Sequence, residues 1–400
     1  MPAPLMEEAM RWFGPADTVS LEEIRQTGAT AVFTSLHEVP YGEVWPVDLI
    51  RSRRAQIEAA GLRWTAVESV PVHESIKTRT DGYAEAISAY QETLRRLGAA
   101  GVPTVIYNFM PVLDWVRTDL HHRLPDGAEA LLYDPVKFAA FDLFALARPG
   151  AERDFSTNVR EAAARYWQGL TPAEQAAFTR QTLDLFPGVK LNVSLDGLRA
   201  MLSRYAAIDA ATLREHLRLF LAAVAPVAQS AGVKLAIHPD DPPFPVLGLP
   251  RIVSTEDDLR RILAMEESPA NGLCYCTGSL GARGDNDLPG IAHRLGPRIH
   301  AAHLRNVQRQ PDGVFFEATH LGGSTPMAAV VEALLREQQA RRIAGRPDAT
   351  FAFRPDHGHR ILDDFRRPDP TCPGYPLIGR LRGLSELRGL QQGIAHLLSD

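Results

Sequence analysis

Four residues in the second half of the chain carry metal-binding side chains, and each stands at the end of an apolar run. They are His238 (LAIHPDD), Cys276 (LCYCTGS), His303 (IHAAHLR) and Asp356 (FAFRPDHGH). Imidazole, thiolate and carboxylate are the usual donors to first-row transition metals, and two histidines with two anions neutralise a divalent cation. Taken singly, a strand-end histidine is more often a hydrogen-bonded core residue, and a buried cysteine is more often a small hydrophobe. Shared position changes that balance, because all four sit on the last residue of a strand-like run or one to two beyond it. In a barrel of parallel strands those ends converge on one rim. The pattern therefore predicts a single metal centre built from distant parts of the chain.

Charged neighbours extend the site. With Asp356 as a ligand, His357 stands free at the rim, where a base or acid is useful. Arg354, inside the preceding strand, is costly to bury unpaired and suits an anionic substrate or a carboxylate neighbour. Arg305, in HLR, is placed beside a ligand and suits a carboxylate or phosphate. In HPDDPP, Asp240 or Asp241 could orient an imidazole from behind, although solvated turn residues fit equally well. Tyr375, in PGYP, is a candidate proton donor that on its own reads as a loop tyrosine. Cys274 points the same way as Cys276 but deeper, as packing. His300 alternates to the opposite face from His303, and His121 and His122 read as surface residues. His73, His293 and His320 are not excluded by spacing.

Short apolar runs alternate with longer helical stretches, the pattern of a parallel sheet with helical crossovers. The strand-like runs fall near 9–13, 31–36, 63–69, 103–109, 233–238, 272–276, 298–303 and 350–354. Eight such runs predict a (β/α)8 TIM barrel. The first is short and carries Arg11 among its apolar residues. Helices are expected over 47–60, 82–100, 211–231 and 327–339, the first after a proline and the first three before a glycine that suits a helix end. The tail 377–398 reads as a helix with a glycine-punctuated break, packed outside the barrel or, alternatively, serving a homodimer interface. The 110–209 stretch after the fourth strand is mostly polar and helical. A connection this long is usually functional, and it is expected to cap the rim within a single domain spanning 1–400.

The chain has 400 residues, a net charge of −5 and three cysteines. An acidic balance without basic runs argues against nucleic-acid binding, and three cysteines make no disulfide framework. No apolar run reaches the roughly 18 residues of a membrane span. The acidic start lacks a signal-peptide pattern, so a cytoplasmic location is expected. Glycine-rich phosphate loops and a GxSxG elbow are absent.

The segments RWFGPAD, ESVPVHE, YNFMPVLDWVRTDL, HPDDPP, GLPRIVST, CTGS, HLR, RPDHGH and PGY...IGRLRGL together resemble mannonate dehydratase, the hydro-lyase of hexuronate breakdown. The likeness runs from about Trp12 to the C-terminus. It implies a xylose-isomerase-like barrel and loss of water from D-mannonate to give 2-keto-3-deoxy-D-gluconate. It implies Mn2+ or Fe2+ on His238, Cys276, His303 and Asp356, with proton transfer by His357 and Tyr375 in an order left open. On this reading Arg305 and Arg354 are candidate partners of the substrate carboxylate. Asn108, Trp115 and Arg117 close over the sugar chain and exclude water. The rivals are a metal-dependent sugar isomerase, a nuclease on the same barrel, which would want a basic groove, and a sugar-acid-binding protein without catalysis.

Overall fold

All eight expected strands form, although the first begins two residues earlier. The computed structural model describes residues 5–185 and 194–398. In chain order the strands are β1 (Glu7–Arg11), β2 (Ala31–Thr34), β3 (Arg63–Glu68), β4 (Thr104–Tyr107), β5 (Asp119–Arg123) and β6 (Glu129–Tyr133). There follow β7 (Lys234–Ile237), β8 (Asn271–Cys276), β9 (Ile299–His303), β10 (Val307–Arg309), β11 (Phe315–Glu317) and β12 (Ala352–Arg354). Eight of them close a barrel in the order β1-β12-β9-β8-β7-β4-β3-β2, and every neighbouring pair is parallel. Near-continuous apolar runs suit strands buried on both faces.

Period-two alternation sorts the strand residues into two environments. Outward residues such as Val32, Leu235, Tyr275 and Phe353 pack into the large core between strands and helices. The interior layer is Ala9, Ala31, Phe33, Ala66, Ile106, Ala236, Cys274, Ala301 and Ala352. Alanine dominates it, which leaves the barrel axis open to larger groups one layer up. Two residues further along each strand, alternation places Arg11, Glu68, Asn108, His238, Cys276, His303 and Arg354 on the same inner side at the C-terminal rim.

The connection after β4, expected to be mostly helical, also carries strands. It contains helices Pro135–Ala140, Thr157–Gln168, Pro172–Asp184 and Leu195–Ser203, but also β5 and β6. These join β10 and β11 in a four-stranded antiparallel sheet, order β10-β11-β6-β5. The sequences DLHHR and VQR gave no apolar signal. Each forms a local hairpin, β5 with β6 and β10 with β11, and the two hairpins join through the long-range β6–β11 pairing, where Tyr133 stacks on Phe315 with ring centroids 5.3 Å apart. Among the described residues, no helix is long and apolar enough to cross a membrane.

The tail helix, Leu377–Leu397, is continuous and lies against the barrel exterior. Gln391 accepts from the backbone N–H of Met6 at 3.1 Å, and Arg388 pairs with Glu8. Two of its glycines mark close approach, not a break. A Cβ at Gly379 would sit 1.8 Å from the His359 carbonyl, and one at Gly383 would sit 2.1 Å from the His320 ring, whereas Gly389 meets nothing within 4 Å. Gly389→Ala is expected to raise stability by about 0.5–1 kcal/mol, the helix-propensity gain. Gly383→Ala is expected to lower it by about 1–3 kcal/mol through overpacking. Denaturant midpoints measure both, and equal signs would contradict the close-approach reading.

Candidate active site

The four expected donors meet at the rim. His238 Nδ1 lies 2.7 Å from the Pro239 carbonyl, to which it must donate, so Nε2 is the free acceptor. That Nε2 lies 3.2 Å from His303 Nδ1. The same His303 nitrogen lies 3.3 Å from Arg354 Nη2, and a guanidinium can only donate. With His238 neutral, two acceptor lone pairs would face one another, so either a proton on Nε2 or a bound cation must stand between them. Cys276, His303 and Asp356 offer donor atoms all within 4.8 Å of one another, and His238, Cys274 and His303 form a second such group. The residues fit a divalent cation by this test.

The two thiols are set apart by their surroundings. Burial pushes the Cys276 thiol up, but His238, His303 and Arg305 together hold it well below the usual thiol range. Its Sγ also caps the short helix Thr277–Leu280, accepting from the Ser279 hydroxyl at 3.2 Å, and a helix N-terminus favours thiolate. Burial and the carboxylate of Glu68 push Cys274 well above that range, and its Sγ lies 3.4 Å from His303 Nε2. Cys274 is thus a thiol beneath His303, closer to the centre than simple packing would place it. Burial disfavours charge on His238, yet Cys276, Glu68 and Asp356 raise it to about 9. A proton balances the thiolate where no cation does.

Asp356 follows β12 with φ +66°, in the left-handed region that aspartate tolerates better than most residues. Its Oδ1 is bound by Arg354 and, at 3.2 Å, by the Tyr375 hydroxyl. Its Oδ2 is 2.9 Å from Arg305 Nε and 3.8 Å from Cys276 Sγ. Burial resists ionisation, but Arg354, His357 and Arg305 hold this carboxyl well below its usual range.

His357 and Tyr375 stand side by side, with ring centroids 4.8 Å apart. His357 Nδ1 contacts Glu317 Oε1 at 2.5 Å. That carboxylate, at about 2 despite burial because His357 and Arg305 lower it, fixes an Nδ1–H tautomer and frees Nε2. Burial keeps Tyr375 well above the usual phenol range, so it remains a proton donor.

The remaining expected residues divide into two sets. Asn108 and Trp115 line a cavity of about 160 Å³ together with His238, Asp356, His357 and Tyr375. Arg305 and Arg354 also line it, but their guanidinium groups are held by protein carboxylates. Arg305 contacts Asp241 at 2.5 Å and Glu317 at 2.6 Å. Arg354 takes Glu68 in a bidentate grip at 2.7 and 2.9 Å. Arg117 is fully buried behind the wall, on Asp241 at 2.7 Å and Glu317 at 3.3 Å, and does not reach the cavity. Neither aspartate of HPDDPP touches an imidazole. Asp241 serves the arginines, and Asp240 accepts from Ser254 and from the backbone of Val253.

Several residues of the site escaped sequence reasoning. Glu68 and Arg11 obey the same strand-end rule as the ligands and could have been found by applying it to every strand. Glu317 had no such signal, because a short antiparallel strand brings it in. Asp114 and Cys372 also line the cavity, with burial pushing the Cys372 thiol up to about 12.

A closed parallel barrel with a buried donor set and a histidine–glutamate pair at its C-terminal rim defines an α/β-barrel enzyme with a candidate metal centre. The chain matches the D-mannonate dehydratase (UxuA) family over residues 6–399 and belongs to that family of hydro-lyases. It is 50% identical over 393 residues to a mannonate dehydratase of Chromohalobacter salexigens, covering 98% of this chain and all of that one. It is 48% identical over 394 residues to one of Marinomonas sp., again covering 98% and 100%. A crystal structure of mannonate dehydratase from Streptococcus suis superposes with a TM-score of 0.75 at 33% identity, covering 99% of this chain and 95% of that one. A xylose isomerase domain protein from Planctomyces limnophilus (TM-score 0.50, 11% identity, 98% and 100% covered) shares the fold.

The contrast between the thiols predicts that Cys276→Ser weakens metal retention by more than the roughly 10–100-fold typical of outer-shell changes. Cys274→Ser should stay within that range. Co2+ titration followed by thiolate-to-metal absorption reads this directly. Retention of the band in Cys276→Ser would overturn the ligand assignment.

Proposed function

We propose that the protein dehydrates D-mannonate to 2-keto-3-deoxy-D-gluconate, in the cytoplasm and as a step of hexuronate catabolism. The observation that carries this reading is the pairing of His357 and Tyr375, a base and an acid side by side, next to the Asp356 carboxylate of a donor set. His238, Cys276, His303 and Asp356 would hold Mn2+ or Fe2+. When bound, such a cation supplies Lewis acidity toward charge developing on the substrate.

The protein's own groups account for the proton transfers. His357, with Nδ1–H engaged by Glu317, presents Nε2 as the base that takes the proton from C2. The electron pair left at C2 forms the C2–C3 double bond as the C3–O bond breaks. Tyr375 gives its phenolic proton to the departing hydroxyl, which leaves as water. The enol then tautomerises to the 2-keto acid, and the proton on His357 is available to restore Tyr375.

Asn108 and Trp115 are proposed as wall contacts to the sugar chain, with Trp115 5.8 Å from the His357 ring. We assign Arg117, Arg305 and Arg354 the holding of the site's carboxylates. The 110–209 segment is proposed to act as a cap, supported by the contribution of Arg117 and of two strands to the layer that carries Glu317.

Chelation should abolish activity, and Mn2+ or Fe2+ should restore it in a keto-acid assay. Full activity after exhaustive chelation would refute the cation's role. The division of labour is tested in deuterated water. His357→Ala should lose exchange at C2, whereas Tyr375→Phe should retain exchange while kcat falls about 10²–10⁴-fold. The reverse pattern would exchange the two roles.

A further inference from the structure

Among the described residues, Arg11 is the one arginine lining the rim cavity that makes no ion pair with a protein carboxylate. Arg305 and Arg354, which line the same cavity, each bind carboxylates from two or more directions. Arg11 forms no ion pair among the described residues. It is 7% exposed, and its polar contact is a long one, Nη1 to the Phe33 carbonyl at 3.4 Å. Its guanidinium lies over the Phe13 ring, 4.7 Å from the centroid. Glu68, the rim carboxylate that feels the Arg11 charge, is engaged by the bidentate Arg354 contact. A buried cation without a partner is destabilising, and Arg11 keeps that state while lining the cavity.

The strand end is firmly held. Arg380 Nη1 donates to the Arg11 carbonyl at 2.7 Å, and Trp12 N–H bonds the Phe33 carbonyl at 3.0 Å. Phe13 also contacts Tyr375 edge-on, with centroids 5.0 Å apart. Arg11 and Tyr375 thus flank one aromatic ring, and an anion on Arg11 lies beside the acid–base pair. In an aldonate the carboxylate is C1, and the reacting carbons are C2 and C3. We propose that Arg11 binds the substrate carboxylate, so that C2 and C3 fall next to His357 and Tyr375, and that it separates sugar acids from neutral sugars. A planar guanidinium suits this task because it can grip a carboxylate by two parallel hydrogen bonds. The proposal rests on the dehydratase reading and names the residue that anchors its substrate.

The experiment compares wild type, Arg11→Gln and Arg11→Lys, each loaded with Mn2+ and checked for metal content and melting temperature. Kinetics are measured with D-mannonate, and inhibition with its neutral amide, D-mannonamide. Arg11→Gln should raise KM for D-mannonate about 10–100-fold, the loss expected for hydrogen bonds to a charged group, with a smaller effect on kcat. Inhibition by the amide should be unchanged. Arg11→Lys should recover part of the loss, since it restores charge without the fork. An unchanged KM in Arg11→Gln, or equal weakening toward acid and amide, would overturn the anchor and indicate a structural role. Wild-type enzyme that does not dehydrate D-mannonate would instead defeat the functional reading. In that event calorimetric binding of an aldonate to wild type and Arg11→Gln still tests the anchor.

Discussion

The rim depends on a lattice of buried arginine–carboxylate contacts. Arg117, Arg305 and Arg354 meet Asp241, Glu317, Asp356 and Glu68 in a space almost closed to water. Removing one partner of such a pair leaves a buried charge and typically costs about 3–5 kcal/mol. The three guanidinium groups face four carboxylates, and the Cys276 thiolate adds a fifth negative charge. Among these groups, with Arg11 and His238 left aside, two negative charges remain in excess, a balance that favours a bound cation. The lattice therefore aims Asp356 and, through Glu317, His357, and it also sets the electrostatic balance that a metal completes.

The barrel supplies this lattice with fixed anchor points. A small-residue layer dominated by alanine sits beneath the rim, and polar or ionisable groups emerge one alternation later on seven of the eight strands. The accessory antiparallel sheet brings in what the barrel cannot. Glu317 ends β11, and β11 is held by β6 of the long connection and by β10. The same connection thus supports the strand whose Glu317 orients His357.

Legibility in the sequence followed the range of the interactions involved. The eight barrel strands and the donors His238, Cys276, His303 and Asp356 could be read because both signals are local: an apolar run and a donor at its end. Helix ends at Gly61 and Gly232 were local for the same reason. Glu317, β5 and β10 were not legible: β5 and β10 are short polar strands of local hairpins, and the β6–β11 pairing that seats Glu317 spans more than a hundred residues. The arginines were visible as charges near a site, but sequence could not say that protein carboxylates already held three of them. Arg11 was discounted because a charge weakens a strand pattern. Its position two residues beyond Ala9 makes it a rim residue by the alternation that placed the ligands.

Sulfur among the candidate donors runs against Mn2+, because thiolates favour softer ions. The surroundings of Cys276 lessen the conflict. Its Sγ accepts from the Ser279 hydroxyl at 3.2 Å and from the Ser279 backbone at 3.5 Å, and Arg305 Nη2 stands 3.9 Å away. Each of these donors draws electron density from the sulfur, and hydrogen bonds to a ligand tune the metal it binds. A thiolate loaded in this way is a weaker and harder donor than a free one. Asp356 adds a carboxylate oxygen, the donor type Mn2+ favours. The arginine that holds Asp241 and Glu317 thus also tempers the thiolate, so the same contacts that keep the rim charges paired widen the range of cations the donor set accepts.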